Sequence, residues 1–453
     1  MTCATEHALS HSVSDAATVN PCTLCAPLGA VLASAGVQGA VPLLHGAQGC
    51  ATYIRRYLIS HFREPIDVAS SSFGEAQTVF GGESNLHRAL DNVARQYQPK
   101  LVTVATTCLA ETIGEDVGRL LRSYEEKRDR HPPVVSASTP SFKDGHVEGF
   151  HTMVRALVES LALQRGTPLR SVNVLPPIVS PADLRHLSEI ASAYGLSPTI
   201  LPDYSETLDG VIADHYRPLP SGGTRIEDIA SMPRALATLD LTLTGTAPRA
   251  SAVLCERGVP MRLLGLPIGI RASDGLCDAL GEISGASMPD WLEMERGRLL
   301  DAYADGHKYV FGKRVALYGD PELVVGLAGF LAEIGARPVL CATGARNRAL
   351  RNALEGLPSG TVEEVIEDGD FGAIEVACRR LKPELLMGSS KGYHMARALG
   401  VPLLRVGFPI HDRMGAGRLL FVGYRGSAQL FDNVVNTLLE VKQSASPTAF
   451  SYL

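Results

Sequence analysis

The 453-residue sequence predicts an α/β protein of three Rossmann-like domains with mainly parallel sheets. Three observations carry that expectation. Short, continuously apolar runs alternate with segments of helical periodicity, the pattern of parallel sheets covered on both faces. A fresh strand-like run follows a long helical or charged stretch twice, near residues 170 and 313. The length also exceeds one core, at roughly 150 residues per domain. The expected division is an amino-terminal arm over 1–19, then domains over 20–167, 168–310 and 311–453.

The arm is small and polar, without an apolar period to bury. In the first domain the strands are AVPLLH (40–45), KLVTVATT (100–107) and PVVSAST (133–139). Helices YIRRYLISHF (53–62) and NLHRALDNVARQY (85–97) lie between them, and LAETIGEDVGRLL (109–121) reads as one amphipathic helix. The second domain offers SVNVLPP (171–177), PADLRHLSEIASAYG (181–195), PTILPD (198–203) and TLDLTLTG (238–245). The third offers RVALYG (314–319), PELVVGLAGFLAEIG (321–335), PVLCATG (338–344), LLMGSS (385–390) and PLLRVGF (402–408). No G-x-G-x-x-G follows these strands and no G-x-x-x-x-G-K-[ST] occurs, which weighs against a dehydrogenase or an ATPase.

Composition removes further classes. A net charge of −6 and a single Trp give neither an electrostatic footprint nor stacking platforms for nucleic acid. No apolar run is long enough to span a membrane, and the amino terminus lacks the features of a secretory signal, so the expected location is cytoplasmic. Nine cysteines, an odd number in a large chain, read as reduced thiols rather than a disulfide framework.

Four of the nine, Cys22, Cys25, Cys50 and Cys108, fall between residues 22 and 108. Cys50 and Cys108 each follow a strand and open a helix, and Cys25 precedes Pro27, a residue suited to a first helical turn. In open α/β sheets ligands bind beyond the carboxyl ends of the strands. Helix amino ends favour thiolates and anionic clusters, so the three thiols are candidate ligands of one metal centre. Gly46 and Gly49 flank Cys50, where a missing side chain would admit a bulky ligand. A single cysteine is more often a small core hydrophobe, and Cys255, Cys277, Cys341 and Cys378 read that way. Cys22 and Cys25 form a C-x-x-C, but no second pair completes a zinc site. His7 and His11 are four apart on the polar arm and read as a solvated pair. His45 reads either as a proton relay or as a packed histidine that orients the site. Glu64 and Asp67 read as a solvated turn, or as a cation site at a subunit contact. Three thiolates are one short of a cubane cluster, which points to completion by another subunit.

The stretches NPCTLCAPLGAVL (20–32), LLHGAQGCATYIRRYLISHFREP (43–65), SSSFGEAQTVFGG (70–82) and ATTCLAETIGEDV (105–117) resemble β-type subunits of the nitrogenase component 1 family. TPSF (139–142), GSSKG (388–392), VGFPIHDRMG (406–415) and VGYRG (422–426) extend the resemblance from about residue 20 to 440. It implies three Rossmann-like domains. It also implies that Cys25, Cys50 and Cys108 ligate half of an [8Fe-7S] P-cluster, with Ser141 able to ligate an iron of the oxidised cluster. An α-type subunit would supply the other half in an α2β2 heterotetramer. An ATP-dependent iron–sulfur reductase would dock transiently and pass electrons through the cluster to a cofactor in the α partner.

The resemblance extends to a non-catalytic branch, the β-like chain of the scaffold that matures the iron–molybdenum cofactor. Many of its members keep only the cysteine matching Cys50 and hold a [4Fe-4S] cluster. The full trio with Ser141 favours the electron relay, of nitrogenase or methylthio-alkane reductase type. The lead before Cys25 is shorter than in molybdenum nitrogenase. Cys22 is additional to the family's trio, as a spare, structural or substitute residue.

Overall fold

The computed structural model describes residues 20–447 apart from 213, 216, 246–248, 346–347 and 358–361. The arm over 1–19, with His7 and His11, lies outside the described residues. Thirteen strands form three sheets among them. The first is ordered β2 (Ala69–Ser70), β1 (Ala40–His45), β3 (Leu101–Thr106), β4 (Val134–Ala137). The second is ordered β6 (Ser197–Ile200), β5 (Ser171–Leu175), β7 (Ala237–Asp240), β8 (Met261–Leu263). The third is ordered β11 (Glu364–Ile366), β10 (Arg337–Ala342), β9 (Arg314–Tyr318), β12 (Leu385–Gly388), β13 (Leu403–Arg405). Every pairing within them is parallel.

Each expected strand overlaps an observed one. Unforeseen were β2, β8 and β11, edge strands of two or three residues with no buried position to mark them. The central β3 is buried along its whole length and β1 along all but its first residue, as strands covered on both faces must be.

Helices α1 (Ala26–Ala35), α2 (Gln48–Phe62), α3 (Glu75–Phe80), α4 (Glu83–Tyr97), α5 (Cys108–Thr112), α6 (Val117–Glu126) and α7 (His146–Leu161) accompany the first sheet. The expected single helix over 109–121 is two. Gly114 takes φ +75°, and the Asp116 side chain caps α6 by accepting the Arg119 amide at 2.9 Å. Helices α1 and α7 cross at backbone distance. A Cβ on Gly29 would stand 1.7 Å from the His146 carbonyl oxygen, and one on Gly149 would stand 1.9 Å from that of Ala26.

One apolar core joins all three sheets, with Leu44, Val172 and Val315 among its members. The last helix, Gly423–Ser444, packs along the helix Asp290–Val310, where Gly306 makes room for Phe431. Among the described residues no helix is long and apolar enough to cross a membrane.

Candidate metal centre

The register of β1 on β3 builds the site. His45 pairs with Thr106, so both strands end at one level and release their following turns side by side. The turn after β3 is a single residue: Thr107 caps α5, and Cys108 is its first residue. The turn after β1 runs through Gly46 and Ala47 into α2, which begins at Gln48, earlier than its periodicity indicates, so Cys50 lies in its first turn. Cys25 is the N-cap of α1, in extended conformation, with Pro27 following as expected.

The three thiols lie within electrostatic reach of one another. Burial pushes the Cys25 thiol up to about 11, with Cys50 and Cys108 adding to the rise. Burial, then Cys108, also raises Cys50. At Cys25 and Cys50 the help expected from helix amino ends is therefore outweighed by desolvation, with the neighbouring thiols adding to it. A bound metal centre would offset that cost by displacing the thiol protons. Among the described residues no three His, Cys, Asp or Glu side chains surround a point that a single ion could occupy. Three neighbouring thiols are the donor type that iron–sulfur groups take.

Ser141 lies against the start of α1. Its Oγ accepts the Ala26 amide at 3.1 Å, against the residue that follows Cys25. Two residues earlier, the Thr139 hydroxyl donates to the Thr106 carbonyl at 2.6 Å and the Thr139 amide donates to Thr106 Oγ1 at 2.8 Å. The TPSF segment is thereby tied to the strand that delivers Cys108.

The glycines divide. A Cβ on Gly46 would stand 1.8 Å from Thr107 Oγ1, so Gly46 packs one turn on the other and leaves no room for a ligand there. Gly49 faces open space. His45 is fully buried, bonded on both ring nitrogens and set edge-on to Phe73 at 4.8 Å. Asp67 takes Tyr97 and Arg55 as partners, which leaves the solvated-turn reading in place.

Cys22 does not join the trio. It is buried in the core of the third sheet with Tyr318 and Phe371, where burial pushes its thiol up to about 12. Cys277, Cys341 and Cys378 are core residues as expected, whereas Cys255 is exposed, on the outer face of the helix Ala250–Glu256.

Sequence reasoning missed the residues that hold the lead into Cys25. The Cys22 amide donates to the Gly369 carbonyl at 3.3 Å, and Lys391 Nζ donates to the carbonyls of Pro21 and Thr23. His146 Nδ1 accepts the Leu24 amide at 3.2 Å, while its Nε2 lies 2.9 Å from Asp320 Oδ1. Segment 20–25 therefore threads between α7 and the third sheet. Nothing in the spacing of the sequence pointed from Lys391 to residue 22.

The comparisons with known proteins agree with this architecture. The family "Nitrogenase component 1 type Oxidoreductase" matches residues 25–439. The nitrogenase molybdenum-iron protein beta chain of Methanothermobacter thermautotrophicus is 36% identical over 434 residues, covering 93% of this chain and 94% of that one. The nitrogenase iron-molybdenum cofactor biosynthesis protein NifN of Rhodobacter capsulatus is 36% identical over 451 residues, covering 98% and 95%. The solved structure of nitrogenase Cp1 at pH 6.5 superposes with a TM-score of 0.93 at 33% identity, over 98% of both chains. The chain belongs to the nitrogenase component 1 type oxidoreductase family.

Proposed function

We propose that this chain is the β-type subunit of a nitrogenase-like reductase, of nitrogenase or methylthio-alkane reductase type, pairing with an α-type subunit in an α2β2 assembly. Its task is to relay electrons from a transiently docked, ATP-dependent iron–sulfur reductase to a cofactor in the α partner. One observation supports this above the rest: three thiols at the first turns of α1, α2 and α5, with the Ser141 hydroxyl against the cap of α1.

Cys25, Cys50 and Cys108 would hold a P-cluster-like iron–sulfur centre shared with the partner, and Ser141 stands where its hydroxyl could serve as a further ligand. Such a centre supplies one-electron storage and transfer when bound. The chain itself fixes the three sulfurs at helix amino ends, each of them half-buried.

A second reading has its own support, the NifN similarity across 98% of this chain. Here the chain is the β-like half of a cofactor-assembly scaffold holding a [4Fe-4S] cluster. Iron counted in the purified complex separates the two. The relay requires about eight irons per α/β pair at this site, and about four would sink it in favour of the scaffold. The scaffold also predicts release of a cluster precursor to an apo-enzyme, with little reductase turnover.

A further inference from the structure

We propose that Glu115, His45 and Ser71 form a directional hydrogen-bond chain that positions the turn delivering Cys50, which makes them positioning residues for that thiol. The importance of that turn rests on the reading of Cys50 as a cluster ligand.

The direction follows from donors and acceptors. Glu115 Oε1 accepts the Gly82 amide at 2.5 Å, and Oε2 lies 3.1 Å from His45 Nε2. A carboxylate only accepts, so Nε2 carries the hydrogen and donates it. In the neutral ring Nδ1 is then an acceptor, and it takes the Ser71 hydroxyl hydrogen at 3.1 Å. The Gly46 carbonyl lies farther from Ser71 Oγ, at 3.5 Å, so the ring takes the hydrogen and Oγ presents lone pairs to the Gly46 amide at 2.9 Å. Burial holds His45 below its ordinary titration range, in keeping with the neutral ring, and Glu115 is the charged side chain that opposes this.

The chain ends on the residue that matters. Gly46 opens the turn with φ +157°, and its carbonyl accepts the Phe73 amide at 2.9 Å. Both backbone polar groups of Gly46 are thus committed to segment 71–73, and Cys50 follows four residues on. Asn85 anchors that segment from α4 by donating to the Ser71 carbonyl at 3.0 Å. At the outer end Glu115 lines a surface cavity of about 240 Å³ with Thr78, Asp116 and Arg119, so the chain runs from solvent to the turn. Hydrogen bonding satisfies every member, which suits a chain that fixes geometry.

Ser71→Ala removes the last link and Ser71→Thr keeps the hydroxyl. Both variants are prepared as the assembled complex, stripped of iron with a chelator and alkylated with iodoacetamide, and each cysteine is quantified by mass spectrometry. The Ala variant should raise the Cys50 rate about fivefold, the effect of one lost net hydrogen bond, with Cys25 and Cys108 unchanged as internal controls. The Thr variant should restore it. In the iron-loaded complex the Ala variant should alter the cluster's paramagnetic resonance line shape at unchanged iron content. A Cys50 change under about twofold, or an equal rise at all three cysteines, overturns the proposal. Should Ser71→Ala fail to assemble, Glu115→Gln and His45→Asn support the same comparison. Full iron retention in Cys50→Ala would overturn the ligand role, whereas unaltered Cys50 alkylation in Ser71→Ala overturns the positioning chain.

Discussion

The Ser141 hydroxyl oxygen and the Ala26 amide are 3.1 Å apart, so a side chain from the loop before α7 caps the helix that begins beside Cys25. An amide in the first turn has no partner within its own helix. Ser141→Ala should therefore cost about 1–2 kcal/mol, read as a lower denaturant midpoint of the complex. If Ser141 also serves the oxidised cluster, the variant should keep its iron when reduced and change its spectrum only on oxidation. An unchanged oxidised spectrum would leave Ser141 as a cap alone.

Cys22 and Lys391 offer a contrast within one segment. Cys22→Ala should leave the iron content intact, because that sulfur sits in the third-sheet core. The small cavity should cost about 1 kcal/mol. Lys391→Met should do more at the metal centre, since its ammonium group donates to the carbonyls on either side of Cys22 and so holds the approach to Cys25. Iron lost on Cys22→Ala would reverse these assignments.

Gly29→Ala tests the helix crossing. The added methyl would stand 1.7 Å from the His146 carbonyl oxygen, a backbone atom that cannot turn aside. The expected cost is about 3 kcal/mol or more, with Cys25 displaced because it caps the same helix. Soluble yield and thermal midpoint check this, and a wild-type midpoint would show that α1 and α7 separate easily.

His61 should contribute to acid sensitivity. Burial among Phe62 and Phe408, with His411 adjacent, lowers its pKa to about 3, and its Nδ1 accepts the Ile410 amide at 2.8 Å. In the unfolded chain a histidine titrates near 6.5. Between those values the unfolded state holds one more proton, so the contribution is whole above about pH 6.5 and is lost as pH falls toward 3, at up to about 1.4 kcal/mol per pH unit. His61→Gln should flatten the pH dependence of the thermal midpoint across that window. An unaltered slope would assign the acid response to other groups.

Much of the fold was legible because buried parallel strands leave continuous apolar runs, as LVTVATT does for β3. What escaped had physical reasons. Edge strands such as β2 pair only two residues and carry no apolar period. The break between α5 and α6 depends on Gly114 in a left-handed conformation, which periodicity averages away. Three cysteines at helix starts could be read from local context, and their convergence expected from the crevice rule, but the pairing that achieves it could not. It requires β1 and β3 to be neighbours, with 55 residues and β2 between them in sequence. The hold of Lys391 on segment 20–25 spans nearly the whole chain, so no local pattern announces it.

That last contact has a consequence in time. A ribosome makes the chain from its amino end at about 5–20 residues per second, so Lys391 emerges roughly 20–70 seconds after Cys22. Until then the lead into Cys25 has neither its third-sheet slot nor its lysine clamp. Of Cys25, Cys50 and Cys108, the first made is thus the one whose approach is fixed latest, once the third sheet has been synthesised.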